Sequence, residues 1–184
     1  MAVFRFLNGT IANPVFDFLM PLITDLNKQP IALGLAAMML IWLGYKGGGT
    51  GRLVIALLFV TILIGDQLNS SVLKHVFMRI RPCHTLTDVH LLVSCGSGYS
   101  FPSSHAVNNM AGAIILSYFY KKWLWAFMSF AGLVAFSRVS VGVHYPSDVI
   151  AGAAVGAVVA GLVLVLSFLI LREWKKRQLR EVGK

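Results

Sequence analysis

Five apolar runs, each bounded by charge, proline or glycine, dominate the chain: residues 30–45, 53–73, 106–120, 123–137 and 149–171. A membrane-crossing helix needs about 20 apolar residues, and fewer where its ends are recessed in protein. In a bilayer such a run must satisfy its backbone polar groups internally, which a helix does. A sixth stretch, Ile11 to Leu26, is interrupted by Pro14, Asp17 and Pro21. Two readings fit it, a further span or an amphipathic helix lying in the interface. The expected fold is all-α, a polytopic membrane helix bundle of five or six transmembrane helices in one domain over residues 1–184.

Composition agrees with that reading. Hydrophobic residues make up 57% and charged residues 12% of the chain, against roughly 25% charged in soluble domains. The net charge of +9 sits in short clusters between apolar runs rather than along one face, so no nucleic-acid partner is expected. No signal-peptide pattern is visible, because Asn8, Asn13, Pro14 and Asp17 break the apolar stretch after Met1 to Leu7 before any small-residue cleavage site. The mature chain is accordingly expected to be the whole chain. Nothing in the sequence specifies an oligomeric state.

Lysine and arginine accumulate in cytoplasmic loops. In the six-span version Arg5, Lys46, Arg52, Lys121, Lys122 and the tail from Arg172 to Lys184 share one side, against Lys28, Lys74, Arg79, Arg81 and Arg138 on the other. Both termini are then cytoplasmic, and the polar segment from Lys74 to His105 faces outward from the plasma (inner) membrane. The tail also suits anionic headgroups. In the last run, Gly152 and Gly156 have the spacing at which helices approach closely in a membrane.

Three polar clusters remain outside the runs, all on the outward side: Lys74 with Arg81 and Pro82; Pro102, Ser103, Ser104 and His105; then Ser137, Arg138, His144 and Asp148. Lys74 and Arg81 are seven residues apart, so a helix ending before Pro82 would place both on one face as a cationic clamp. Arg79 is read as a cation snorkelling to headgroups. Ser103 and Ser104 stand at a helix start, where they serve either as caps or as donors to an anion drawn by unpaired N–H groups. His144 and Asp148 are four apart. A carboxylate on one imidazole nitrogen fixes the tautomer and frees the other nitrogen to attack.

Three cations make a divalent ion redundant, and the acidic residues nearby, Asp66, Asp88 and Asp148, do not form the carboxylate pairs that magnesium sites use. No metal or other cofactor is expected. Asp66 lies about one turn inside the second apolar run. It is read either as a contact to Lys74 or Arg138 behind the site, or as a buried carboxyl without catalytic relevance. Cys83 and Cys95 fall in the same polar segment, as two free thiols or one disulfide.

In order and internal spacing, Lys74-x6-Arg81-Pro82, Pro102-Ser103-Ser104-His105 and Ser137-Arg138-x5-His144-x3-Asp148 resemble the three-part motif of the type 2 phosphatidic acid phosphatase superfamily. The resemblance covers roughly residues 66 to 152, with Ser104 where that family usually has glycine. It implies a metal-independent lipid phosphatase. His144 would attack phosphorus and become phosphohistidine, Asp148 would orient it, and His105 would protonate the leaving oxygen and then activate water. Lys74, Arg81, Ser103, Ser104 and Arg138 would hold the phosphate oxygens. The implied partners are membrane lipids and a lipid phosphate: undecaprenyl pyrophosphate, phosphatidylglycerophosphate, phosphatidic acid or the 1-phosphate of lipid A. Tyr99, Phe101 and Tyr145 are expected at the mouth. Two rival classes share these residues, a transporter that binds phosphate without cleaving it and a non-catalytic membrane protein.

Overall fold

The computed structural model describes residues 1–182, leaving Lys184 of the basic tail outside the described residues. Every regular element is helical: α1 (Ala2–Arg5), α2 (Pro14–Thr24), α3 (Pro30–Lys46), α4 (Gly48–Gln67), α5 (Lys74–Phe77), α6 (Pro82–Thr85), α7 (Ser104–Phe119), α8 (Leu124–Ser140) and α9 (Pro146–Val182). The chain forms a membrane helix bundle, as its apolar runs require. Helices α3, α4, α7, α8 and α9 carry those runs. At 17 and 16 residues, α3 and α7 are short for a span, but α7 sits at the centre, packed against α4, α8 and α9.

The outer surface is apolar and the interior is partly polar. Ile41, Phe59, Ile150 and Ile170 are exposed, whereas Thr61, Asn69, Ser137, Arg138, His144 and Asp148 are buried. This is the distribution of a bundle whose solvent is lipid. Away from the site, Leu43, Val54, Leu57, Ala111, Ile115, Ala160 and Val163 form one apolar cluster. A second, of Phe4, Ala106, Val139, Tyr145 and Val149, lies directly under the polar residues.

Gly152 and Gly156 do what their spacing implies. A methyl group on Gly152 would lie 2.6 Å from the Ser103 carbonyl oxygen, and one on Gly156 would run into that of Val107. α9 therefore rests on the backbone of α7 and fixes His144 and Asp148 relative to the start of α7. Close approach without side chains is how small residues join helices in lipid.

The stretch from Ile11 to Leu26 does not cross the membrane as one straight helix. Asn13 caps a new helix, its side chain accepting from Val15 N at 3.0 Å and Phe16 N at 3.1 Å, with Pro14 in the first position. The resulting α2 has 11 residues, about 16 Å at 1.5 Å per residue, and the segment Ala2–Thr10 meets it at 107°. Both pieces stay at the site end of the bundle. Arg5 pairs with Asp88 at 2.8 Å, and the Asn8 amide donates to the His90 and Ser140 carbonyls, each at 2.8 Å.

α9 runs on from the site for 37 residues, about 55 Å. Arg5, paired with Asp88, lies at the site end.

Candidate active site

The three clusters, distant in sequence, meet at one end of the bundle. His144 sits in the turn between α8 and α9, with its backbone N–H on the Arg138 carbonyl at 3.3 Å. Asp148, in the first turn of α9, is fully buried and His144 is 2% exposed. Asp148 Oδ2 lies 3.5 Å from His144 Nδ1 and accepts from the Tyr145 N–H at 2.8 Å. The buried Ser100 hydroxyl donates to the same oxygen and stands 3.5 Å from Nδ1. Nδ1 therefore faces a carboxylate and a hydroxyl, leaving Nε2 as the nitrogen free for chemistry. Burial holds the His144 imidazole down at about 4; its hydrogen bond to Asp148 favours the charged form, and Arg138 and Arg81 oppose it.

Arg138, 7% exposed, donates from Nη1 to Thr24 Oγ1 at 2.8 Å, and its buried Nε has no partner among the described residues. Arg81 donates from Nε to the Gly98 carbonyl and from Nη1 to that of Cys95, both at 2.8 Å. Lys74, Arg81 and Arg138 lie close enough for their charges to act on one another. The expected route from Lys74 to Arg81 is corrected, however. α5 ends at Phe77 because Met78 adopts φ 43°, and Arg81 is extended, so the two cations meet across a turn rather than along one helical face.

Ser103 precedes α7, donates its backbone N–H to the Asp148 carbonyl at 3.1 Å, and makes no side-chain cap. Its fully buried hydroxyl has no partner among the described residues. An orphan donor beside the unpaired N–H groups of a helix start is what an incoming anion would satisfy. Ser104 has instead a fixed partner, its Oγ accepting from Asn69 Nδ2 at 2.8 Å. His105, in the first turn of α7, is close enough to His144 and Arg138 to feel their charges. The Phe101–Pro102 bond that leads into this helix is cis.

Several residues acquire places that sequence spacing did not indicate. Arg79, expected among headgroups, turns inward and donates from Nη1 to Asp148 Oδ1 and Ser147 Oγ, both at 2.7 Å, with its guanidinium 4.0 Å above the Tyr145 ring. Ser100, Thr24 and Asn69 also carry partners of the site. Asn69 had a signal, as an amide next to Asp66 and Gln67 within an apolar run; Ser100 and Thr24 had none. Asp66 makes no ion pair with Lys74 or Arg138 among the described residues. Its Oδ1 accepts from Asn108 at 3.4 Å, and its charge reaches Lys74. Cys83 and Cys95 are joined as a disulfide with Cα atoms 6.2 Å apart. Of the three aromatic residues expected at the mouth, Tyr145 is buried against Phe4, while Tyr99 and Phe101 pair with His75 and Phe77.

Known proteins place this arrangement. The chain is 31% identical over 127 residues to lipid A 4'-phosphatase of Porphyromonas gingivalis, covering 66% of this chain and 54% of that protein. It is 34% identical over 140 residues to undecaprenyl-diphosphatase of Sulfolobus acidocaldarius, covering 76% and 65%. It thus spans between half and two thirds of the length of these curated relatives. The crystal structure of Aquifex aeolicus LpxE superposes with a TM-score of 0.72 at 26% identity, over 89% of this chain and 93% of that one. Residues 51–172, which hold all three clusters, match the model of the PAP2 superfamily, and the chain belongs to that superfamily.

Proposed function

We propose that the protein hydrolyses a lipid phosphate ester through a phosphohistidine on His144. One observation carries the reading: a buried imidazole with Nδ1 turned to Asp148 lies within reach of the charges of Arg81 and Arg138. Phosphoryl transfer depends on positioning and on neutralising the equatorial oxygens. Lys74, Arg81, Arg138, the Ser103 hydroxyl and the first N–H groups of α7 supply that neutralisation. Nε2 of His144 forms a bond to phosphorus as the bond to the leaving oxygen breaks, and His105 gives that oxygen a proton. His105 then takes a proton from water, whose oxygen displaces His144 and releases phosphate.

The relatives' names support lipids as the substrate class, and the apolar exterior supports a membrane location. The basic residues at the far end of the bundle support a cytoplasmic location for that end. The site then faces outward from the plasma membrane, with the N-terminal helices beside it.

The test is release of inorganic phosphate from a panel of lipid phosphates by the detergent-solubilised protein in chelator. His144→Ala should abolish release, and a ³²P-labelled substrate should leave acid-labile label on wild type but none on the variant. Full activity in His144→Ala would end the proposal.

A further inference from the structure

The cations and the cleft beside them are segregated. A cleft of about 340 Å³ opens next to His105, between the α2 end and helices α7 and α8. Its polar lining is Thr24, Asn27, Ser104, Asn108, Asn109 and Asp66, with no lysine or arginine. Asp66 is the carboxylate among these lining residues, and it is held by Asn108. The nearby Asp25 has its own cation, Lys28, at 3.0 Å. On the lipid-facing side of Asp66 and Asn108 an apolar groove continues along Phe59, Ile62 and Leu63.

We infer that this cleft receives the leaving group, and that Asp66 selects substrates whose leaving group is uncharged and hydroxyl-bearing, a sugar or polyol, over diphosphates. The inference rests on the proposed role of His105, since the group that protonates the leaving oxygen marks the side on which that group sits. A diphosphate leaves as a phosphate and would carry a negative charge into a space lined by a carboxylate and by no lysine or arginine, with Arg138 held behind Thr24. Like charges in a partly desolvated site repel strongly. A sugar or glycerol hydroxyl, in contrast, can donate to Asp66 and accept from Asn108 or Asn109, and buried polar groups discriminate through partners of this kind. The lipid tail then follows the groove along Phe59.

Three probes separate the possibilities: an alkyl glycoside 6-phosphate, dodecyl phosphate as the hydroxyl-free monoester, and farnesyl diphosphate, each assayed for phosphate release in chelator. Wild type should favour the glycoside phosphate. Asp66→Asn should raise the ratio of kcat/KM for diphosphate over glycoside phosphate by about tenfold, and Asp66→Glu should keep the wild-type ratio. A ratio moved by less than about twofold in Asp66→Asn, or a wild type that prefers the diphosphate, would overturn the inference. Should Asp66→Asn fail to fold, Asn109→Asp places a second carboxylate in the same cleft and must lower the ratio; an unchanged ratio there also overturns it. Absence of phosphate from all three probes would instead sink the lipid phosphatase reading.

Discussion

Arg79 grips the carboxylate oxygen of Asp148 that His144 does not face, at 2.7 Å, while stacking on Tyr145. The carboxylate is thus fixed from both sides, by Arg79 on Oδ1 and by Ser100, the Tyr145 N–H and His144 on Oδ2. Under the proposed mechanism Arg79 acts through Asp148, which orients His144. Arg79→Gln should lower kcat by about tenfold or more with a smaller change in KM. Arg79→Lys, which keeps the charge but loses the planar fork, should recover only part of it. Steady-state kinetics of the two variants check this.

His144 should stay neutral well into acid. An imidazole at about 4 lies far below the ordinary histidine value of about 6.5. Carbon-13 NMR of ring-labelled protein should show a histidine signal that fails to protonate near 6.5 and is lost in His144→Gln. The sign for stability follows. Below about 6.5 the unfolded chain binds a proton here that the fold refuses until about 4, so stability falls as pH drops across that window. His144→Gln should flatten this acid loss in thermal melts.

The disulfide Cys83–Cys95 closes the loop whose Cys95 carbonyl accepts from Arg81. A cation aimed by loop carbonyls loses its direction when the loop loosens. Dithiothreitol, or Cys83→Ser with Cys95→Ser, should reduce kcat/KM by several-fold to about tenfold while leaving helix content by circular dichroism unchanged. Equal activity of oxidised and reduced protein would remove the loop from the site's support.

Gly156 tests the seam between α7 and α9. A leucine there must push α9 off the Val107 carbonyl, and overpacking of this kind destabilises by about 1–3 kcal/mol. Gly156→Leu should lower Tm in detergent and also activity, since α9 carries Asp148. Gly161→Leu, where a Cβ meets nothing within 4 Å, should change neither.

The sequence by itself determined the membrane bundle, because in lipid an apolar run has few alternatives to a helix. It also singled out His105, His144, Asp148, Lys74, Arg81 and Arg138 as the residues of one candidate site, since these charged or titratable groups gather at the ends of apolar runs. Tertiary structure alone decided what each polar atom faces. Arg79 reads as a headgroup cation until α9 brings Asp148 within 2.7 Å, and Thr24 is one hydroxyl among many until α2 folds back on Arg138. The place of the N-terminal segment beside the site followed from a 107° bend, which proline and asparagine caps permit but only packing against Asp88, His90 and Ser140 fixes. Hydropathy is a local property and is legible in one dimension. The pairing of polar groups joins residues up to 132 positions apart, and no local pattern encodes it.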